Sequence, residues 1–231
     1  MKKLIVLEGL DGAGKSTQIN LLTQYLVQHD IVYRYMHFPR TDSSSPIYGE
    51  MVAHFLKGDY GNVQTVNPYL VALLYAGDRD NAKTQMSEWL DNNYLVLLDR
   101  YVYSNMAFQG AKFPTIDEKR KLHSWIHDLE FNHYRIPQPT LSIYLHMPFS
   151  FISGKLKDER TGDDRLYLQG KEDIHENNLD LQARVEKEYL RLVNENEDFQ
   201  LVECFDENHE TLRPEKIHEK IISLLKEKDI I

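Results

Sequence analysis

A glycine-rich segment near the N-terminus constrains the fold of this chain more than any other feature. It satisfies the pattern G-x-x-x-x-G-K-[ST], follows the apolar run at residues 4–7 and opens a helical pattern that begins at Ser16. A strand, this loop and a helix in succession form the context in which the pattern binds phosphate. The segment consists of Gly9, Leu10, Asp11, Gly12, Ala13, Gly14, Lys15, Ser16 and Thr17.

The residue types of this phosphate loop explain how it would hold a nucleotide. Backbone N–H groups of residues 12–16 can converge on a β-phosphate, because the glycines leave room and the helix N-terminus adds a favourable dipole. Lys15 would reach the β- and γ-phosphates, and the Ser16 hydroxyl would coordinate Mg²⁺. GTPases, ATPases and kinases share this loop, so it predicts nucleotide binding without fixing the reaction.

Short apolar runs alternate with longer helical patterns along the whole chain. This alternation predicts an α/β fold of three layers, with a parallel sheet and crossover helices. We place the two runs that are apolar throughout, the first and the third, side by side at the centre, and the mixed second run nearer an edge. The predicted strands are residues 4–7, 31–36, 95–98, 141–145 and 201–205.

Helical spacing and charge complete the outline of the fold. A helix is predicted over residues 16–28, and the last helix starts at Pro214, which is a favoured first-turn residue. Residues 155–176 are highly charged with little apolar periodicity, which is typical of an exposed, mobile segment. The chain is therefore predicted to be one domain, residues 1–231, with a mobile lid at about 152–176.

Charge and cysteine content exclude several classes of protein. The 27 basic and 36 acidic residues give a net charge of -9, which argues against non-specific electrostatic binding of a nucleic acid polymer. A few converging arginines can still bind a nucleotide. Cys204 is the only cysteine, so no intrachain disulfide can form, and we expect a buried strand thiol.

Apolar run lengths argue against a secretory or membrane protein. Glu8 interrupts the first apolar run after four residues, which does not fit a signal peptide. No run approaches the roughly 18 apolar residues of a membrane span. We expect a cytoplasmic protein with no membrane partner.

Two further segments bring polar side chains to ligand-binding positions. Asp99 and Arg100 directly follow the apolar run at 95–98, and open α/β sheets bind their ligands at the carboxyl ends of the strands. Asp99 could bind Mg²⁺ directly or through water, and Arg100 could hold an anionic acceptor. Tyr75 and Arg79 are four residues apart on a predicted helix, so they can reach a common ligand.

These segments and the phosphate loop, taken in order, resemble the thymidylate kinase family of P-loop nucleoside monophosphate kinases. The resemblance spans nearly the whole chain and rests on residues 8–18, 38–40, 73–79 and 99–110. It implies a three-layer P-loop NTPase fold with a central, about five-stranded parallel sheet and a helical lid. It also implies ATP as phosphoryl donor, Mg²⁺ as cofactor and a homodimer.

The resemblance implies a role for each residue of the acceptor site. Arg100 and Arg40 would contact the acceptor phosphate, and Asp11 would hold the acceptor sugar's 3′-hydroxyl. Tyr75 would stack on thymine, in place of the family's usual Phe, while Arg79 would hydrogen-bond a base carbonyl. The remaining pocket residues would be Phe38, Ser104, Phe108 and Gln109.

Catalytic arginine is expected from the lid. Family members with glycine at the Gly12 position take this arginine from the lid instead of the phosphate loop, which implies Arg160 first and Arg165 second. Phosphoryl transfer needs such charge stabilisation more than it needs acid–base catalysis. A further departure flanks the strand at 141–145, where the family typically has one aspartate before the strand and one after it. Gln138 or Thr140 stands at the first position and His146 at the second. No role is carried over to these residues.

The implied reaction is transfer of a phosphoryl group from ATP to dTMP, giving ADP and dTDP. The nearest alternative is a kinase for another acceptor, such as dUMP, UMP, CMP or a deoxynucleoside. A GTPase-like switch would need a guanine-specifying Asn-Lys-x-Asp segment, which the sequence lacks. A catalytically silent module would be favoured by loss of Lys15 or Arg100, and both are present.

Overall fold

The fold is a five-stranded, fully parallel sheet flanked by helices, with strand order β2-β3-β1-β4-β5. The computed structural model describes residues 3–63, 65–152 and 178–231. The strands are β1 (Lys3–Glu8), β2 (Tyr33–His37), β3 (Leu95–Asp99), β4 (Leu141–His146) and β5 (Phe199–Glu203).

Helices connect these strands and cover the sheet. They are α1 (Lys15–Gln28), α2 (Tyr48–Leu56), α3 (Pro68–Asp91), α4 (Val102–Gly110), α5 (Ile116–His127), α6 (Leu179–Glu195) and α7 (Pro214–Glu227). A π-helical turn, Asp128–His133, directly follows α5. Helix α1 packs against α7, and α4 packs against α3, α5 and α6.

The predicted centre and edge of the sheet are confirmed. β1 pairs with β3, with Leu4 opposite Val96 and Val6 opposite Leu98, and the residues of both strands are buried apart from Lys3. β2 lies at one edge of the sheet, and three of its five residues are exposed, which agrees with its mixed sequence. The central pair carries the phosphate loop after β1 and Asp99 at the end of β3.

Two predicted strands are shifted by two residues. β2 starts at Tyr33 because Ile31 belongs to the turn after α1, where its N–H donates to the carbonyl of Leu26 at 2.9 Å. β5 starts at Phe199, which is fully buried and lies opposite Ser142. Cys204 is buried as expected, but it directly follows the strand.

Helix boundaries agree closely with the sequence patterns. The first helix begins one residue earlier than predicted, at Lys15, and the last helix begins at Pro214 as predicted. Leu73 on α3 is 36% exposed. Within the described residues, no helix has both the length and the apolar character needed to cross a membrane.

Candidate active site

The phosphate loop joins β1 to α1 by a tight turn that glycine permits. Gly12 and Gly14 have φ angles of 81° and 83°, in the left-handed region that side-chain-bearing residues rarely adopt. Gly14 is the N-cap of α1 and offers no capping side chain. The first backbone N–H groups of the helix are therefore left for a ligand, which suits an anion.

Lys15 folds back over the loop. Its Nζ donates to the carbonyls of Gly9 at 3.2 Å and Leu10 at 3.1 Å, and the side chain is buried. Burial, assisted by the charge of Arg100, lowers the pKa of Lys15 to about 8, although nearby carboxylates such as Asp99 act in the opposite direction. The ammonium is thus held where phosphate oxygens would replace weak carbonyl contacts.

Arg100 stands at the turn after β3 and faces the phosphate loop. Its φ of 66° is in the left-handed region. The guanidinium donates from Nη2 to Asp11 Oδ1 at 2.6 Å and from Nη1 to Ser104 Oγ at 3.2 Å, and it lies 5.3 Å from the centroid of the Phe108 ring. Burial works against the charged form, yet Asp11, with other acidic groups, raises the pKa of Arg100 above its usual range.

Asp99 is buried beside Lys15 at the end of β3. Its Oδ2 lies 3.3 Å from His37 Nδ1, and its Oδ1 has no hydrogen-bond partner among residues 3–63, 65–152 and 178–231. Burial works against ionisation, but the contact with His37 and the charge of Lys15 outweigh it and lower the pKa of Asp99. A buried, ionised carboxylate oxygen without a partner is a suitable ligand for a hard cation.

Arg40 is fixed by the helix that carries Tyr75 and Arg79. Its backbone N–H donates to Asp78 Oδ2 at 2.8 Å, its Nε donates to Asp78 Oδ1 at 2.9 Å, and its Nη2 donates to the Asp78 carbonyl at 2.8 Å. Phe38, two residues earlier, is buried against the ring of Tyr101. Residues 38–40 and the helix α3 segment therefore form one structural unit.

Arg79 lies in a buried ion pair. It donates to Glu130 through Nε at 2.5 Å and through Nη2 at 2.7 Å, and the two side chains are 2% and 0% exposed. Asn105 Nδ2 also donates to this carboxylate, at 3.2 Å. Tyr75, one turn before Arg79 on α3, is half-buried against the core. The sequence pattern predicted that Tyr75 and Arg79 lie one turn apart on a helix, but it gave no indication that Glu130 would pair with Arg79.

Helix α4 places the other predicted pocket residues at different depths. Ser104 and Phe108 share one face and both lie close to Arg100. Gln109 is buried, and its Oε1 accepts a hydrogen bond from Lys112 Nζ at 2.7 Å. Ser104 and Phe108 are thus grouped with Arg100, whereas Gln109 contacts Lys112, two residues beyond the end of α4.

Comparison with known proteins gives this arrangement a family. A profile of the thymidylate kinase family matches residues 7–221. The chain belongs to the thymidylate kinase family. A probable thymidylate kinase of Staphylothermus marinus is 32% identical over 205 residues, which cover 86% of this chain and 89% of the relative. The thymidylate kinase of Mycobacterium tuberculosis is 29% identical over 191 residues, covering 82% and 85%.

A solved structure shares the fold of this thymidylate kinase family member. Thymidylate kinase from Candida albicans matches it with a TM-score of 0.73 at 23% identity, over 99% of this chain and 92% of that chain. At this level of identity the match supports the three-layer fold and its parallel sheet. Arg160 and Arg165, the arginines predicted from the family, lie outside the described residues.

Sequence reasoning missed three acidic residues at this site. Asp78 holds Arg40, Glu130 holds Arg79, and Glu8 accepts hydrogen bonds from the segment that follows Arg100. Asp78 directly precedes Arg79 within residues 73–79, which carry the family resemblance, so the sequence offered a signal for it. Glu130 is 51 residues from its partner, and no spacing rule predicts such a contact.

Proposed function

We propose that this chain transfers the γ-phosphoryl group of ATP to dTMP, giving ADP and dTDP. Membership of the thymidylate kinase family supports the reaction. The observation that carries the proposal is the hydrogen bond from Arg100 to Asp11 at 2.6 Å. It joins the candidate acceptor arginine to the phosphate loop itself, so donor and acceptor phosphates would meet within one short span.

The donor end of the reaction would be held by α1 and Lys15. The free N–H groups at the N-terminus of α1 would bind the β-phosphate, and Lys15 would exchange its contacts with two loop carbonyls for phosphate oxygens. The negative charge of the phosphates would favour the protonated form of the lysine. Its ammonium would then neutralise charge that develops between the β- and γ-phosphates.

The acceptor end would be held by two arginines whose geometry is set in advance. Asp78 fixes Arg40, and Asp11 with Ser104 fixes Arg100. A guanidinium can bind a phosphate through two parallel hydrogen bonds, which orients it as well as attracting it. The phosphate of dTMP is anionic at neutral pH, so it attacks as an oxyanion and needs positioning more than a general base.

Mg²⁺ would be held by Ser16 and Asp99 together with the phosphates of ATP. The residues fit this ion, since Asp99 Oδ1 is buried without a partner in the described residues and Ser16 is exposed at the start of α1. The ion held there would supply positive charge that offsets the negative charge of the ATP phosphates. The contact with His37 and the charge of Lys15 hold the pKa of Asp99 below its ordinary value despite its burial.

The thymine base would be read by Tyr75 and Arg79. The half-buried Tyr75 offers an aromatic face for stacking. Two guanidinium nitrogens of Arg79, Nε and Nη2, face Glu130, and Nη1 would donate to a base carbonyl. The carbonyls at positions 2 and 4 of thymine are acceptors for such a donor, which favours thymine or uracil over cytosine at position 4.

The lid arginines complete the proposal. Arg160 and Arg165 would approach the transferring phosphoryl group from the segment at about 152–176 and help exclude water. Separate changes of each to Ala test which one acts. The variant that lacks the catalytic arginine should have a kcat about 100-fold lower or more, with little change in its affinity for dTMP. If both variants kept the wild-type kcat, the assignment would be contradicted.

We also propose a homodimer in the cytoplasm. Apolar side chains project from the neighbouring helices α2 and α3, with Ile47 68% exposed, Leu70 60%, Met51 37% and Leu73 36%. Leu70→Asp should convert the dimer to a monomer in light scattering after size exclusion. Val27→Asp, at a 63% exposed apolar residue on α1, is the matched control that should stay dimeric. A monomeric native protein would contradict the dimer.

The reaction is tested by ADP release with purified protein, ATP and Mg²⁺. dTMP should be turned over with a higher kcat/KM than dUMP, UMP, CMP or thymidine. Lys15→Met should lower kcat by about 100-fold or more, because a charge at the transferring phosphates is lost. Equal turnover of all acceptors would refute the thymine preference, and ADP release without dTDP formation would refute the kinase assignment.

A further inference from the structure

Glu8 is a fully buried carboxylate that belongs to neither of the two binding ends described above. It is the last residue of β1 and directly precedes the phosphate loop. Its Oε1 accepts from the backbone N–H groups of Tyr101 at 2.9 Å and Ser104 at 3.2 Å. Its Oε2 accepts from the Ser104 hydroxyl and from the Tyr189 hydroxyl, the latter at 3.1 Å. Four donors therefore satisfy a group whose burial would otherwise be costly.

The two backbone donors belong to the start of α4. The first N–H groups of a helix have no partner within the helix, and Tyr101, the N-cap residue of α4, provides no side-chain cap. Glu8, at the end of β1, supplies this cap instead, and its charge suits the positive end of the helix. Burial raises the pKa of Glu8 above its ordinary value, and the hydrogen bond from Ser104 and the charge of Arg100 offset this rise only in part.

Arg100 lies between the end of β3 and this capped helix. Its left-handed backbone, at φ 66°, is uncommon for a residue with a side chain and persists only where the surroundings hold it. The N–H of Arg100 donates to the Leu7 carbonyl at 2.9 Å, and the next N–H, of Tyr101, donates to Glu8. The end of β1 therefore determines the path of the backbone through Arg100.

A side-chain link runs parallel to this backbone link. Ser104 Oγ accepts from Arg100 Nη1 at 3.2 Å while its own hydrogen is directed to Glu8. The other end of the guanidinium donates to Asp11, three residues beyond Glu8. One segment, residues 7–11, thus fixes both the backbone and the guanidinium of Arg100.

We propose that Glu8 is a positioning residue that holds Arg100 in the geometry needed for the acceptor phosphate and aligns it with the phosphate loop. The inference rests on the proposed dTMP kinase function. Glu8 is buried beneath the turn and touches no substrate in this scheme. Its effect is transmitted through the cap of α4 and through Ser104. It should therefore influence the phosphate of the acceptor and leave the nucleoside part unaffected.

Glu8→Gln tests this separation, with dTMP and thymidine as paired ligands in isothermal titration calorimetry. The variant keeps the size of the side chain but loses the charge and one of the two acceptor atoms. We expect the Kd of dTMP to rise roughly tenfold, the scale of one weakened charge-assisted hydrogen bond. The Kd of thymidine, which lacks the phosphate, should stay within about twofold. A parallel loss for both ligands would show a general distortion of the pocket and overturn the proposal.

Ser104→Ala provides the second variant and a test of the link. It leaves Glu8 and both backbone hydrogen bonds in place, and it removes the hydroxyl that links Glu8 to Arg100, together with the contact of that hydroxyl with Tyr189. It should weaken the binding of dTMP more than that of thymidine. In the double variant with Glu8→Gln, the loss of dTMP affinity should be much smaller than the sum of the losses in the two single variants. Additive effects on dTMP affinity would show that the two residues act separately, which would overturn the linkage.

Glu188→Gln is the matched control for loss of a buried carboxylate. Glu188 is buried on α6 and pairs with Lys119 and Arg191; it directly precedes Tyr189, so the variant also tests whether a general disturbance of α6 would affect binding. It should leave the dTMP and thymidine affinities unchanged. Wild-type protein that fails to convert dTMP would refute the proposed function, whereas active wild-type protein with an unaltered Glu8→Gln variant would refute only the role of Glu8.

Discussion

The ion pair between Arg79 and Glu130 should dominate the response of this protein to mutation. Glu130→Gln preserves the volume of the side chain but leaves a guanidinium, 2% exposed, without its counter-charge. Removing one partner of a buried pair costs about 3–5 kcal/mol, because the other charge stays buried without compensation. Asn105 loses a charged acceptor as well, so we expect a value near the upper end of that range.

Urea unfolding followed by circular dichroism measures this loss. For an m value of about 2–3 kcal/mol per M, a loss of 4 kcal/mol lowers the midpoint by roughly 1–2 M. The m value itself should not change. A midpoint shift below about 0.3 M would show that the guanidinium finds other partners or water, and it would refute the argument from burial.

The opposite substitution, Arg79→Met, should behave differently with pH. A buried carboxyl can take up a proton and become neutral, whereas a guanidinium cannot lose one. The destabilisation caused by Arg79→Met should therefore shrink between pH 8 and pH 5, while that of Glu130→Gln should persist. The double variant should be more stable than the sum of the single losses predicts. Strict additivity would contradict direct pairing of the two side chains.

Three further predictions concern residues away from the chemistry. Gly49→Ala should destabilise the protein by about 1–3 kcal/mol in urea unfolding, because an added Cβ would lie 2.2 Å from the Arg40 carbonyl oxygen; unchanged stability would refute the close contact. Burial lowers the pKa of Lys112 to about 7, so folding is penalised below pH 7 and the penalty is relieved as pH rises towards the unfolded value. Lys112→Met should accordingly be more stable than wild type at pH 6, with an advantage that shrinks by pH 10, and a constant difference would contradict this. Burial raises the pKa of Cys204 to about 12, so Ellman's reagent should label it at pH 8 only after unfolding, and rapid labelling of the native protein would show an exposed thiol.

The sheet could be predicted from the sequence because local pattern and global position agree in its central strands. β1 and β3 contain continuous apolar runs, and this pattern is typical of strands that are covered on both faces of the sheet. At the edges the pattern is mixed, and the strand boundaries depend on contacts made elsewhere. Ile31 is of a residue type that favours strands, yet its N–H donates to the Leu26 carbonyl in the turn after α1.

The site could be predicted where a motif fixes backbone geometry, and not where long-range contacts fix side chains. The phosphate loop and residues 99–100 follow strands, so their position at the sheet edge follows from topology. Glu8 appears in the sequence only as the residue that ends an apolar run. Its hydrogen bonds reach residues 93 to 181 positions away, and no local pattern encodes such distances.

The acidic partners also explain how a chain with a net charge of -9 could bind polyanionic nucleotides. Arg40, Arg79 and Arg100 are each held by a carboxylate, of Asp78, Glu130 and Asp11 respectively. A held arginine has already lost the side-chain entropy that a free one would lose on binding, so part of the cost of recognition is met during folding. The counter-charge reduces long-range attraction for any anion, but a guanidinium has five N–H donors, and one carboxylate does not occupy them all. Under the proposed function, affinity would then depend on whether a ligand presents acceptors to the donors that are left, as the phosphate of a nucleotide would.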